Sequence, residues 1–285
     1  MQLGDAYKRF FKGEAKYPQF RKKGVNDRFS LSNDQFTVKG RQIRIPNLGW
    51  VRMREALRFD GKILSAKIFS RGGRWFVSVA VEIDGVTLAK KTGKQTGVDL
   101  GITNLTTLSD GTKVKAPKPL KAKLKKLNRL SRQLSRKQKG SNNRAKAKAK
   151  LSRLHLQISN IRKDALHKLT TGLVNEYDVI AIENLNTKGM MQNRKLSRAI
   201  GDLGFYEFKR QLVYKANQYG KTVKELDRWF PSSKTCSNCG HLLTKDELPL
   251  SVRRWQCPCC QQANDRDVNA SVNILQHADK VLTHH

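Results

Sequence analysis

All five cysteines of the 285-residue chain lie in one short segment, and four of them form two Cys-x-x-Cys pairs. The pairs are Cys236 with Cys239 and Cys257 with Cys260, and 17 residues separate them. Two thiolate pairs at this spacing predict two tight turns that close a tetrahedral zinc site. Four thiolates leave no open coordination position, so the predicted zinc is structural rather than catalytic. Cys259 is an alternative to Cys260 as the fourth ligand.

The charge of the chain indicates its partner. There are 57 Lys and Arg residues against 23 Asp and Glu, a formal net charge of +34. Such a surplus repels itself in a compact fold unless a polyanion neutralises part of it, which indicates nucleic acid. Since 38% of the residues are hydrophobic, the composition excludes a wholly disordered chain. Without a long apolar run or a secretory leader, we expect a cytoplasmic protein and no membrane partner.

Short runs rich in Val, Ile and Phe in the first third of the chain predict strands over 42–45, 62–69 and 75–83, the last two joined by a hairpin turn. Several short strands with polar turns indicate a small barrel or curled sheet. Apolar runs at 97–102 and 178–185 predict buried strands further along.

Strands and helices alternate in the second half of the chain. The pattern predicts a helix over 205–219 ended by Gly220, a strand over 222–226 and a last helix over 268–277. A strand-rich beginning followed by this alternation indicates a mixed α/β sheet.

Residues 111–163 contain 19 Lys and Arg and no Asp or Glu. Leucines and isoleucines recur there every three or four residues in two stretches, which predicts two amphipathic helices joined by residues 139–144. Packing explains the apolar seam but not the unbalanced charge on the other faces, so we expect those faces to contact phosphates. The residues predicted to bind nucleic acid are Lys121, Lys123, Lys125, Lys126, Arg129, Arg132, Arg136 and Lys137.

Three acidic residues are difficult to explain as structural. Asp99 lies inside an apolar strand run, Glu183 lies near the end of another, and Asp267 begins the last predicted helix. An ionised carboxylate in an apolar strand is costly unless it is paired or bound to a cation. Taken singly, each has an ordinary alternative: an edge-strand acid, a strand-end acid and a helix N-cap. Together, in a protein built to hold polyanions, they predict a shared Mg²⁺ or Mn²⁺ site for two-metal hydrolysis of phosphodiesters.

In this order, four stretches resemble the TnpB family of transposon-encoded proteins, relatives of the type V CRISPR effectors. They are residues 97–101 (GVDLG), 182–185 (IENL), 231–240 (PSSKTCSNCG) and 265–270 (DRDVNA). The resemblance implies an α/β fold of the RNase H-like (RuvC) type, a mixed sheet with a helical-hairpin insertion and a zinc ribbon. An incomplete, wedge-like β-barrel precedes it, because most relatives begin with further sequence before the point that corresponds to Met1.

The same resemblance implies roles for individual residues and partners. Asp99, Glu183 and Asp267 match the family's three catalytic acids, and Asp265 resembles a supporting acid. A guide RNA made from the transposon end would direct cleavage of complementary double-stranded DNA, with base pairing reading the sequence. This implies an RNA-guided DNA endonuclease that is associated with the nucleoid of a prokaryote. The alternatives are a guide-dependent repressor, a guide-independent nuclease and an inactive truncated transposase-related protein, and the presence of all three acids favours the enzyme.

The resemblance also predicts how the chain is divided. We expect a basic, β-rich, wedge-like nucleic-acid-binding region over 1–90 and a helical-hairpin insertion over 119–177. A RuvC-like domain is expected in three segments, 91–118, 178–232 and 263–285, the last of which includes the tail. The zinc ribbon is expected over 233–262, between the second and third of these segments.

Overall fold

A computed structural model describes residues 3–20, 24, 27–83, 85 and 88–280. The chain divides into two compact units, Met1–Asp84 and Gly85–His285. The predicted tail, 281–285, lies outside the described residues. No helix in the described ranges is long and apolar enough to cross a membrane.

The first unit contains a short helix, a 3₁₀ turn over Asn33–Gln35 and six strands in its described residues. They are α1 (Leu3–Phe11), β1 (Arg28–Ser32), β2 (Thr37–Lys39), β3 (Gln42–Ile45), β4 (Gly49–Arg52), β5 (Lys62–Arg71) and β6 (Arg74–Glu82). Strands β1, β5 and β6 form one antiparallel sheet, and β2, β3 and β4 form another. The strands predicted at β3, β5 and β6 are confirmed. Gly72 and Gly73, both with positive φ, make the predicted two-residue hairpin turn.

The two sheets of the first unit share one core. It consists of Leu31, Phe36, Ile43, Ile45, Ala66 and Ile68. Along β3, Ile43 and Ile45 are buried while Gln42 and Arg44 are exposed, as expected for a strand with one face in solvent. The predicted barrel or curled sheet is therefore built as two antiparallel sheets around a common core.

The second unit contains seven strands and six helices in its described residues. The strands are β7 (Gln95–Asp99), β8 (Thr106–Leu108), β9 (Lys113–Val114), β10 (Val179–Glu183), β11 (Thr222–Leu226), β12 (Arg254–Gln256) and β13 (Ala263–Asp265). The helices are α2 (Pro119–Ser135), α3 (Asn142–Glu176), α4 (Thr187–Gln192), α5 (Ser197–Leu203), α6 (Phe205–Tyr219) and α7 (Arg266–Lys280).

Five of these strands form a mixed sheet in the order β11-β10-β7-β8-β9. Strand β10 runs parallel to β7 on one side and to β11 on the other. Strand β8 runs antiparallel to both β7 and β9. Because parallel strands share a direction, β7, β10 and β11 end at the same edge of the sheet. Residues at the carboxyl ends of these strands are thereby brought close together.

Helices cover both faces of the parallel strands. Ile180 and Ile182 of β10 pack in one core with Phe208 of α6, whereas Ala181 packs on the opposite face with Ile274 of α7. Successive strand residues point to opposite faces, so a strand covered on both sides must be apolar throughout. This explains the near-continuous apolar run that predicted β10.

The predicted helical hairpin is present as α2 and α3. Helix α3 is 35 residues long and begins at Asn142, inside the segment that was predicted to join the helices. It begins there because the Ser141 side chain accepts a hydrogen bond from the N–H of Arg144 at 3.2 Å and caps the helix.

Asp202 of α5 attaches the hairpin to the rest of the second unit. Its carboxylate is buried and accepts hydrogen bonds from the N–H groups of Leu120 and Lys121, each at 3.0 Å. Arg162 of α3 pairs with the same carboxylate at 3.3 Å. This one buried carboxylate thus accepts hydrogen bonds from the otherwise unpaired N–H groups at the start of α2 and forms an ion pair with a cation of α3.

Helix α6 and strand β11 have the predicted bounds. Gly220 follows α6 with φ of 68°, a left-handed conformation that glycine adopts without strain, and this ends the helix. The chain then enters β11 two residues later.

Candidate active site and thiol cluster

The three predicted acids lie at one edge of the mixed sheet. Asp99 is the last residue of β7 and Glu183 is the last residue of β10, so these two end neighbouring parallel strands. Asp267 lies in the first turn of α7, the helix that packs on that sheet. Residues far apart in the chain are therefore brought to one place by strand pairing and by one helix.

A close approach of backbones holds α7 against β7. A Cβ atom on Gly97 would lie 1.9 Å from the carbonyl oxygen of Ser271 and 2.8 Å from the backbone nitrogen of Leu275. Only glycine allows the helix to approach this strand so closely. Gly97 thus sets the distance between the strand that carries Asp99 and the helix that carries Asp267.

Asp265, rather than Asp267, caps α7. Its Oδ1 atom accepts hydrogen bonds from the N–H groups of Asp267 and Val268, each at 3.2 Å, and Lys113 of β9 donates to its Oδ2 at 2.7 Å. The ordinary alternative for Asp267, a helix N-cap, is therefore wrong. The cap also explains why α7 begins at Arg266, two residues before the predicted start.

Burial and the two neighbouring acids raise the cost of ionising Asp99. Burial raises the pKa of Asp99 to about 8, and the charges of Glu183 and Asp267 add to the shift while Arg253 and Arg266 oppose it. Burial also raises the pKa of Glu183, against a hydrogen bond that lowers it. A divalent cation would remove this cost, because it favours the ionised form of every carboxylate around it.

Two of the acids already have protein partners. Glu183 accepts a short hydrogen bond from the hydroxyl of Ser232, and Arg253 Nη1 lies 3.3 Å from Asp267 Oδ1. The three carboxylates are close enough to interact electrostatically, but they do not converge as tightly as the thiols. Among the described residues, only the cysteine tetrad has ligand atoms that all lie within 4.8 Å of one another.

Two buried asparagines of α7 hold the segment that carries Ser232. Asn273 donates to the carbonyl oxygens of Ser232 at 2.8 Å and Thr235 at 2.6 Å. Asn269 donates to the Thr235 carbonyl at 2.7 Å and accepts from the N–H of Ser237 at 2.9 Å. These contacts join the helix of Asp267 to the chain that leads from β11 into the first cysteine pair.

The sequence patterns did not predict this group. Ser232 and Asn269 fall inside stretches that carry the family resemblance, but the residues themselves predicted no role for them. The available signal was the pair of asparagines spaced one helical turn apart in the apolar last helix, at 269 and 273.

The four predicted thiols converge in the structure. Cys236 Sγ lies 3.7 Å from Cys260 Sγ, and Cys239 Sγ lies 3.6 Å from Cys257 Sγ. Cys260 belongs to the cluster, whereas Cys259 lies outside it. Four sulfur donors without an additional ligand suit a structural metal ion, and this cluster can bind one.

The basic residues predicted to bind nucleic acid lie along α2 and just beyond its end. Lys123 is half-buried, and the other seven are exposed. Leucines of the same helix are partly buried on the side that packs against α3. The helix therefore separates an apolar seam from a cationic face that contains no acidic residue.

Two family models match the chain. One is described as "Probable transposase" (OrfB_IS605) and covers residues 78–194. The other is described as "Cas12f1-like, TNB domain" and covers residues 205–274. The first contains Asp99 and Glu183, and the second contains the thiol cluster and Asp267.

Two curated relatives match nearly the whole chain, and a third matches part of it. A "Putative RNA-guided DNA endonuclease" of Streptomyces pristinaespiralis is 40% identical over 96% of this chain and 68% of its own length. The "Putative RNA-guided DNA endonuclease InsQ" of Escherichia coli K12 is 36% identical over 98% of this chain and 73% of its own. The chain belongs to the TnpB family. A "TnpB-like protein L79" of Acanthamoeba polyphaga mimivirus is 34% identical over 46% of this chain and 26% of that protein.

A solved structure supports the fold of this family member. The "Cryo-EM structure of the Cas12f1-sgRNA-target DNA complex" contains a chain that matches with a TM-score of 0.52 and 18% identity, over 74% of this chain. The likeness shows a shared arrangement of mixed sheet and helices. This chain spans 45% of the length of that solved chain.

Proposed function

We propose that this chain is an RNA-guided DNA endonuclease that hydrolyses DNA phosphodiesters at Asp99, Glu183 and Asp267. The observation that supports the proposal is that Asp99 and Glu183 end neighbouring parallel strands, with Asp267 near enough for its charge, like that of Glu183, to contribute to the raised pKa of Asp99. Relatives that are 36–40% identical over nearly the whole chain are named as RNA-guided DNA endonucleases, which supports the same function.

The proposed architecture is an RNase H-like (RuvC) fold in three chain segments, 91–118, 178–232 and 263–285. The hairpin of α2 and α3 is the insertion over 119–177, and a zinc ribbon over 233–262 is the second insertion. Residues 1–90 are proposed as a wedge-like nucleic-acid-binding region. The supporting observation is that each acid lies on an element of one sheet-and-helix unit. Strands β7 and β10 belong to the same sheet, and α7 packs on that sheet.

The chemistry of the acids fits Mg²⁺ or Mn²⁺, because both ions prefer carboxylate oxygens. A pair of such ions would neutralise charge on the attacking and leaving oxygens of the phosphodiester. The chain's own residues contribute orientation: Ser232 fixes the carboxylate of Glu183, and Asp265 caps the helix that presents Asp267. Arg253 pairs with Asp267, and a cation bound by that carboxylate would compete with this ion pair.

Zinc is the proposed ion of the thiol cluster. Its role is structural, since four thiolates leave no position for substrate. The cluster begins four residues after Ser232, so its closure would hold the segment that orients Glu183.

The proposed partners are a guide RNA derived from the transposon end and a double-stranded DNA target. The cationic face of α2 has no acid to balance it, which suits contacts with the phosphates of a guide or heteroduplex. The similar solved structure is named as a complex with an sgRNA and a target DNA, which supports the same class of partners here.

The decisive experiment sequences the RNA that co-purifies with the full chain and then supplies DNA complementary to that RNA. We expect a discrete RNA and divalent-ion-dependent cleavage of the matched DNA, with a scrambled target as control. Sequence-specific cutting by RNA-free protein would overturn guidance. Guide-dependent binding without cleavage at any divalent-ion concentration would favour the repressor.

A further inference from the structure

A cavity of about 290 Å³ opens at the carboxyl ends of β10 and β11. One wall is Glu183 with the three residues that follow it, and the other is formed by residues 226–228 and 230–233. The volume lies at the lower limit of small-molecule sites, near ~300 Å³, so it suits a single nucleotide and excludes a duplex. Because Glu183 lines the cavity, an occupant lies next to the bond that the proposed nuclease cuts.

The walls of the cavity combine apolar and polar groups. Phe230 and Pro231 contribute apolar surface. Arg228 donates from Nη2 to the Asn184 side-chain oxygen at 3.2 Å and from Nε to the Asn184 carbonyl at 3.4 Å. These bonds aim the guanidinium at the cavity and use two of its five N–H donors. Arginine binds phosphate oxygens with paired donors, which makes Arg228 suited to a backbone phosphate.

In the sequence Trp229 lies between two lining residues, Arg228 and Phe230; it does not itself line the cavity, and it is 84% exposed. The turn that carries it is anchored on both sides: its own N–H donates to Asp227 Oδ1 at 2.7 Å, and the ring of Phe230 stacks on His277 at 4.0 Å. Tryptophan is on average highly buried, so packing does not explain an indole that is held out in this way. A flat aromatic face beside a nucleic-acid cleft is a platform for an unstacked base.

We propose that this cavity is a subsite for one unpaired nucleotide next to the scissile phosphate. Trp229 stacks on its base, and Arg228 contacts the phosphate of the same nucleotide. The proposal rests on the proposed endonuclease function and adds the chemical class of the group bound beside Glu183. A paired base cannot use the platform, because both of its faces are occupied within the duplex.

The test uses the full chain with its co-purified RNA and short single-stranded DNA in which one base at a time is a fluorescent purine analogue. Binding is measured in chelator, so no cleavage is needed. We expect fluorescence quenching at one position, lost in Trp229→Ala and largely kept in Trp229→Phe. The matched control is Tyr206→Ala, which removes an exposed aromatic ring of α6 that does not line the cavity.

A second measurement links the platform to cleavage. An abasic site at the quenched position should raise the KM of the wild type about tenfold, and Trp229→Ala should raise the KM for the intact strand by a similar factor. Trp229→Ala acting on the abasic strand should have a KM no higher than either change produces alone. Fully additive effects, or equal quenching in Trp229→Ala, would overturn the subsite. A wild type that binds and quenches but never cleaves would instead overturn the nuclease function.

Discussion

The hydroxyl of Ser232 donates a hydrogen bond to the carboxylate of Glu183. The serine stands four residues before Cys236, and Asn273 of α7 holds its carbonyl oxygen at 2.8 Å. The last residue of β10, the entry to the thiol cluster and the helix of Asp267 therefore form one hydrogen-bonded unit. A disturbance of the cluster is expected to reach the carboxylates through this unit.

Replacing Ser232 tests whether it positions Glu183. Ser232→Ala should lower kcat by about tenfold to a hundredfold and change the KM for DNA little, since a hydrogen bond to a charged group is lost. The divalent-ion concentration at half-maximal rate should rise. Ser232→Thr keeps the hydroxyl and should recover most of the rate, and Ser78→Ala is the control at an exposed strand serine. An unchanged kcat and ion dependence in Ser232→Ala would contradict the role.

Removing Asp99 tests the proposed active site. Asp99→Ala should abolish divalent-ion-dependent cleavage and leave nucleic-acid affinity nearly unchanged, because the basic surfaces remain. Asp246→Ala, at an exposed acid in the segment between the two cysteine pairs, should cut normally. Cleavage and filter-binding assays on the same preparations separate the two effects. Full cutting by Asp99→Ala would remove this residue from the site.

The raised pKa of Asp99 predicts a pH dependence of stability. In chelator, the folded chain keeps the proton of Asp99 up to about pH 8, whereas the unfolded chain loses it near the ordinary value of 3.8. Stability should therefore fall between those values as pH rises, by at most about 1.4 kcal/mol per pH unit. Thermal unfolding across this range should show a flatter profile for Asp99→Asn. Parallel profiles for the two proteins would show that Asp99 ionises normally.

The thiol cluster offers a matched pair of variants. Cys239→Ser removes a converging sulfur and should release the metal, lower the unfolding temperature and reduce cleavage. Cys259→Ser changes an exposed cysteine outside the cluster and should retain the metal, the unfolding temperature and the cleavage activity. Metal content per chain and thermal unfolding measure the difference. Equal metal content in both variants would contradict the assigned ligands.

The cationic face of α2 is tested by the salt dependence of binding. Lys125→Gln with Arg129→Gln should reduce the slope of log affinity against log salt by about one for each phosphate contact that is lost. Lys168→Gln is the control, because Lys168 pairs with Asp164 at 2.8 Å on the same hairpin. An unchanged slope in the double variant would show that this face is not in contact with nucleic acid.

Local patterns predicted elements whose signals lie within a few residues. The bounds of α6 and β11 follow from apolar periodicity and from a glycine that ends the helix. The apolar run of β10 indicated a strand covered on both faces, and helices do cover both. The cysteine spacing predicted the converging thiols. Three acids in costly positions predicted an acidic site, and the structure places two of them at the ends of neighbouring strands. These features depend on local conformation and on the cost of burying charge, and both can be judged from the residue types and their spacing.

Tertiary structure decided what depends on contacts between distant regions of the chain. It selected Cys260 over Cys259, gave the cap of α7 to Asp265, and placed Ser232 against a carboxylate 49 residues away in sequence. It also left Trp229 exposed next to two residues that line the cavity, although tryptophan alone would predict burial. The hydrophobic period of a helix or strand predicts which face of that element a residue occupies. Which group packs against that face depends on how strands pair and helices pack, and this involves contacts between residues far apart in the chain.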